Sequence, residues 1–428
     1  MKTTIAFFRR GAAALCALLF LAAAFCLRIN ASAADGAAPD TAGDSAASLV
    51  SDRDASGEYD ASAAVTLAPG DDLTISEAGI YILSGSYENQ MLTVQAGDED
   101  KVQIVLNNAQ IANADGPAIL VRSADKVFLT AAAGSENSIS DGSGYTLNEG
   151  DTAVDAAVFS KADLTVNGSG SLSITGNTKH AVVSKDDLVV TAKNLIVSSA
   201  ASALTGKDAV TLLDASVSIQ AGTDGIHSEG TVTVLGGSMT AQCGDDAVHA
   251  DGKADIAGGT VTLNAAEGIE ATYVLIRSGD ISIQASDDGI NAAYKSDAYT
   301  PTVEITGGNL TVTMGAGDTD GIDSNGNLII SGGTVSVTGS SAFDFDGSVS
   351  FTGGTVYVNG QQVTELSSQF MGGRGGMGGM GGQGGHGSFG TPPDMSGDIP
   401  AGFGGQPPSG FHGPHGGQGG PGSFGEGS

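Results

Sequence analysis

Asp288-Gly289-Ile290-Asn291 is one copy of a tetrapeptide that recurs through the chain. Upstream it reads Asp224-Gly225-Ile226-His227, Asp246-Ala247-Val248-His249 and Glu267-Gly268-Ile269-Glu270. Downstream it reads Asp320-Gly321-Ile322-Asp323 and fades into Ser341-Ala342-Phe343-Asp344. Successive copies start 22, 21, 21, 32 and 21 residues apart. A fixed period of about 20 to 25 residues marks a stack of equivalent turns, and the long step marks an insertion.

A second marker runs in step with the first. It reads Gly236-Gly237-Ser238-Met239-Thr240, Gly258-Gly259-Thr260-Val261-Thr262 and Gly332-Gly333-Thr334-Val335-Ser336. Between markers, apolar and polar residues alternate, which predicts three short strands per turn. In one turn these are Gly225 to Ser228, Thr231 to Leu235 and Ser238 to Gln242. Glycine pairs supply corners with positive φ. The expected fold is all-β, a right-handed parallel β-helix of about 21–22 residues per turn, in which each strand pairs with its equivalent one turn away.

The chain has 428 residues and a formal net charge of −31. Such a surface disfavours nucleic acid and anionic membranes and favours divalent cations. The first residues read as a secretion signal: basic Lys2, Arg9 and Arg10, an apolar run from Gly11 to Leu27, then small Ala31-Ser32-Ala33. The run is too short and Ala-rich for a membrane span. The expected layout is a signal peptide over 1–33, a flexible linker over 34–64, a β-helix over 65–368 and a Gly/Met/Pro-rich low-complexity tail over 369–428. The mature chain is expected to be a monomer, secreted or at the cell surface. Its one remaining cysteine, Cys243, is expected to be a small buried apolar side chain.

Stacking at roughly 4.8 Å per turn turns the tetrapeptide into a carboxylate ladder. A single Asp-Gly is explained by turn chemistry, since Asp caps backbone N–H groups. Doubled acids in consecutive turns exceed what a turn needs, and their repulsion is relieved by a hard cation with oxygen ligands. The candidate calcium ligands are Asp224, Asp245, Asp246, Glu267, Glu270, Asp287, Asp288, Asn291, Asp318, Asp320 and Asp323. His227 and His249 stand one turn apart in register and read first as stacked imidazoles. Two departures from regular turns, Asp141 to Asp155 and Ala292 to Thr302, are expected to build a binding face. With no Trp in the chain, Tyr273, Tyr294 and Tyr299 are the candidate sugar-stacking residues, with Lys295 beside them.

Several stretches carry a resemblance. They are Leu73-Thr74-Ile75-Ser76-Glu77-Ala78-Gly79-Ile80-Tyr81, Phe159-Ser160-Lys161-Ala162-Asp163-Leu164, Ser184-Lys185-Asp186-Asp187-Leu188, Gly206-Lys207-Asp208-Ala209-Val210 and Ser286-Asp287-Asp288-Gly289-Ile290-Asn291. Over about Val65 to Val363 the chain resembles the secreted bacterial carbohydrate-binding β-helix proteins related in fold to pectate lyases. The resemblance implies calcium along the helix and affinity for plant-type polysaccharides, including polygalacturonate and cellulose, without established catalysis. Ser202-Ala203-Leu204 and Ala181-Val182 depart from the family pattern, so it does not imply calcium in those turns. Two further readings stay open. One is a polysaccharide lyase with Lys253, Arg277 or Lys295 as base. The other is a structural surface protein that uses the rod as a spacer.

Overall fold

The computed structural model describes residues 49–70, 73–146, 151, 153–316 and 319–368. The expected signal, the expected tail and Asp318 lie outside the described residues. The fold is a parallel β-solenoid of about 12 turns. Three ladders of strands run its length. The first links Ile119–Ser123, Ala156–Ser160, His180–Ser184, Leu204–Gly206 and Ile226–Ser228, and continues to Ser341–Phe345. The second runs from Val65–Leu67 to Val349–Phe351. The third ends on Thr355–Val358.

The repeat reappears as register. Val182, Leu204, Ile226, Val248, Ile269 and Ile290 sit directly above one another on the first ladder. All are fully buried. Burying an aliphatic side chain of this size stabilises by roughly 1.5–3 kcal/mol, so each added turn extends one continuous core. Gly237 shows why the corners need glycine. Its φ is 84°, and a Cβ there would lie 2.0 Å from the carbonyl oxygen of Ala215. In this turn the two strands expected as separate merge into one, Thr231–Cys243, with a bulge between Leu235 and Ser238.

The last turn is closed by a hairpin. Val358 and Gln361 flank Asn359 and Gly360, at φ 50° and 77°, and Gln361–Val363 pair back antiparallel onto Thr355–Val358. An Asn-Gly turn with both residues at positive φ matches the twist of the strands it joins. The returning strand covers an edge that would otherwise be open to another chain.

Within the stretch expected as linker, Asp52–Ser56 instead form a helical turn docked on the solenoid. Ser51 caps it with a capping box to Asp54, and Gly57 ends it in the left-handed conformation. Asp54 is buried, ion-paired to Lys126 at 2.8 Å and bonded by the Thr165 hydroxyl. Described residues of the departure at Asp141 to Asp155 also pack onto the solenoid. Val154 from it packs with Leu120, Phe159 and Val183 on the outer side of the first ladder, with Tyr145 against them. Arg122 holds Asp151 at 2.6 Å. This segment shields an apolar patch.

Candidate functional site: a face of stacked polar side chains

The first ladder is β-structure with alternate residues outside, so the residue after each core aliphatic faces outward. That outer column reads Phe159, Val183, Thr205, His227, His249, Glu270, Asn291, Asp323 and Asp344. It passes from apolar to hydroxyl, to imidazole, to carboxylate. The first residue of each tetrapeptide lies beside it at the corner.

The two histidines stack with centroids 4.7 Å apart and planes 6° from parallel. Each is held by the acid three residues before it, His227 Nδ1 by Asp224 at 3.0 Å and His249 Nδ1 by Asp246 at 2.7 Å. His249 Nδ1 also lies 2.9 Å from Glu270, and its Nε2 lies 3.2 Å from Asp251. Burial opposes charge on His249, but bonds to Asp246 and Glu270 outweigh it and raise its pKa to about 10. It is an imidazolium shared between carboxylates. Burial would likewise raise Glu270, yet His249 and Lys295 hold it down at about 2. Asp246, His249 and Glu270 place donor atoms within 4.8 Å of one another. Their charges are already matched by the imidazolium and by Lys295, 2.7 Å from Glu270.

Further along, cations run out. Burial, then repulsion from Glu270 and Asp246, pushes the Glu267 carboxyl up to about 8. Burial, then Asp287, Asp320 and Asp344, pushes Asp288 to about 6. Burial, then Asp288, Asp320 and Asp344, pushes Asp323 to about 7. Asn291 donates its Nδ2 to Glu267 at 3.1 Å, and its buried Oδ1 has no hydrogen-bond partner. The buried Thr319 hydroxyl oxygen has none either. An orphaned amide oxygen among mutually repelling carboxylates is an all-oxygen donor set of the kind a hard cation takes. Asp288, Asn291, Asp320 and Asp323 would offer a hard cation such as calcium oxygen donors only.

The remaining sequence candidates divide. Asp245 and Asp287 are exposed, one position before the buried Asp246 and the half-buried Asp288. Asp224 is buried and held below the usual carboxylate range, because bonds from His227 and Ser202 outweigh its burial. A stacking role for Tyr273 does not hold: it is buried, and its hydroxyl bonds Glu304. Tyr299 lies 5.7 Å from it, so Tyr273 supports the exposed ring. Tyr294 is 72% exposed. Their loop is stapled back to the solenoid, where the Thr272 hydroxyl accepts from the Lys295 and Ser296 amides at 3.0 and 2.9 Å. Cys243 is half-buried rather than enclosed, and burial pushes its thiol up to about 12. Asp344 was absent from the sequence candidates because its tetrapeptide had lost the leading acid, although it keeps register with Asp323.

Fold and site together define a parallel β-solenoid with a carboxylate-rich ladder along one outer face. A family model described as carbohydrate-binding domain-containing protein matches residues 69–272 and 267–362, most of the chain, and the chain belongs to that family. A carbohydrate-binding domain-containing protein of Acetivibrio thermocellus is 28% identical over 129 residues, a match spanning 30% of this chain and 45% of that relative. A solved structure of the polysaccharide lyase-like protein from C. thermocellum, a gadolinium derivative, has 21% identity and a TM-score of 0.33, covering 70% of this chain and 94% of its own.

Proposed function

We propose that this chain is a secreted, non-catalytic, calcium-dependent binding protein for acidic polysaccharides of the polygalacturonate type. The observation that carries the reading is the unpartnered Asn291 Oδ1 among Asp288, Asp320 and Asp323, whose neighbours disfavour charge on one another. Calcium held there supplies positive charge with coordination positions left open to a uronate carboxylate. That is how a chain of net charge −31 holds an anionic polymer. Tyr294 and Tyr299 offer small stacking faces beside the ladder, suited to a neutral glucan such as cellulose as a weaker ligand.

The lyase reading is weaker because its candidate bases are engaged. Lys253 and Arg277 both pair with Asp255, at 2.9 and 2.8 Å. Lys295 pairs with Glu270, and although burial works against its charge, that bond raises its pKa. A base must first lose its proton, and the bond to Glu270 keeps the Lys295 proton on.

Calcium titration by calorimetry on the full chain and on Asp288→Asn and Asp323→Asn tests the reading. The expected result is binding by the parent and at least a tenfold loss in each variant. Equal affinity in all three would place any calcium elsewhere and remove the reading's support.

A further inference from the structure

The outer column holds a second polar feature, away from the carboxylates. Where Val183, Thr205 and His227 succeed one another, a cleft of about 190 Å³ opens on the surface. Lys179 and His180 line it, as do Lys185 and Lys207, together with Asp155 and Glu229. Sites that enclose a whole small molecule run to about 300–1,000 Å³, so this cleft suits one residue of a longer chain lying outside it.

The lysines arrive by the same repeat that builds the acid ladder. The Lys161 amide bonds Val121, the Lys185 amide bonds Ser160, and the Lys207 amide bonds Ser184. Three lysines therefore occupy one corner in consecutive turns, roughly 4.8 Å apart. Lys185 lies 5.7 Å from the Phe159 ring centre, and no ion pair of it is found among the described residues. Lys207 meets Asp208 at 3.2 Å, but both side chains are about half exposed. Such surface pairs are weak and exchange readily for another anion. Lys179 is tied to Asp155 at 2.6 Å.

Two donors stand beside them. His180 Nδ1 accepts the Ser202 amide at 3.2 Å, so the neutral ring carries its proton on Nε2. The Thr205 hydroxyl oxygen is buried at the cleft with no hydrogen-bond partner. A buried polar atom in that state takes its partner from outside the chain, a water or a ligand group.

We propose that this cleft binds the carboxylate of a uronic-acid residue directly, through Lys185, Lys207 and the Thr205 hydroxyl, without calcium. The choice of uronate rests on the function proposed above; the anionic subsite itself does not. Thr205 and Asn291 are four turns apart on one column, about 19 Å at strand spacing. A glycan laid along the solenoid axis meets both.

The test is trigalacturonate binding to the full chain in excess chelator, by calorimetry, beside its fully methyl-esterified form. The expected result is weak binding of the acid only, reduced at least tenfold in Lys185→Ala/Lys207→Ala. Thr205→Val is expected to weaken binding several-fold while leaving Tm unchanged or raised, which a merely structural threonine would not do. Absence of binding in chelator, equal binding of the ester, or indifference to these substitutions would overturn the cleft. Loss of the cleft with calcium-dependent binding intact would leave the function above standing, and the converse would leave the cleft standing without it.

Discussion

Asp323 is a residue whose role reverses with its partner. Without a cation it sits under Asp288, Asp320 and Asp344, and burial and repulsion hold its carboxyl near pKa 7. Asp323→Asn removes that repulsion and keeps the shape. In chelator the variant is expected to melt above the parent, while its gain in Tm on adding calcium is smaller. A variant less stable than the parent in both conditions would mean that Asp323 serves packing only. Asp54 carries the opposite sign. Burial opposes its charge, but bonds from Lys126, Ser51 and Thr165 win and lower its pKa below the usual carboxylate value. Its stabilisation is present above about pH 4, the unfolded value, and is lost as pH falls through the lower folded value. Asp54→Asn is expected to cost about 3 kcal/mol at pH 7, as removing one partner of a buried pair does. Hydrogen exchange in the docked turn reads this, and the difference should shrink as pH falls below about 4 and vanish once it is below the lowered folded value. A difference that persists there would refute the ion-pair account.

At the scale of the element, the strand is the unit the repeat encodes. Ile290 is flanked by Ile269 and Ile322 in register and has no exposed surface. Ile290→Ala is expected to destabilise by about 2–5 kcal/mol, measured by denaturant unfolding. A cost below 1 kcal/mol would mean that turns stack without a shared core. The strands were legible because a period near 21 residues fixes both the inward aliphatics and the outward column after them. The glycine corners were legible because positive φ at Gly237 leaves no other choice. The docked turn at Asp52–Ser56 was not, since its partners, Lys126, Thr165 and Asn167, lie far off in sequence and face outward. Nor was the role of Val154 and Tyr145. A loop rich in acids and glycine gives no sign that a few of its apolar residues cover Phe159 and Val183. The burial of Tyr273 was hidden because its pocket is completed by a loop inserted more than twenty residues later.

At the scale of the molecule, one outer face changes character along the solenoid: apolar at Phe159, cationic around Lys185 and Lys207, imidazole at His227 and His249, and carboxylate beyond. The acid end was readable as a candidate cation site from doubled acids alone. The lysine cleft needed the structure, because only stacking shows that Thr205 lies under it. A chain that binds calcium when folded and not when unfolded gains about 2.7 kcal/mol at one hundred times the dissociation constant. The melting temperature should therefore climb with calcium and fall on chelation, and a melting temperature indifferent to both would argue against a folded-state site.

The most direct measurement of the central claim is co-sedimentation of the full chain with insoluble polygalacturonate, first with calcium and then with excess chelator. The account predicts strong retention with calcium and, in chelator, only the weak residue that the lysine cleft supplies. Equal retention in both, or none in either, would contradict it.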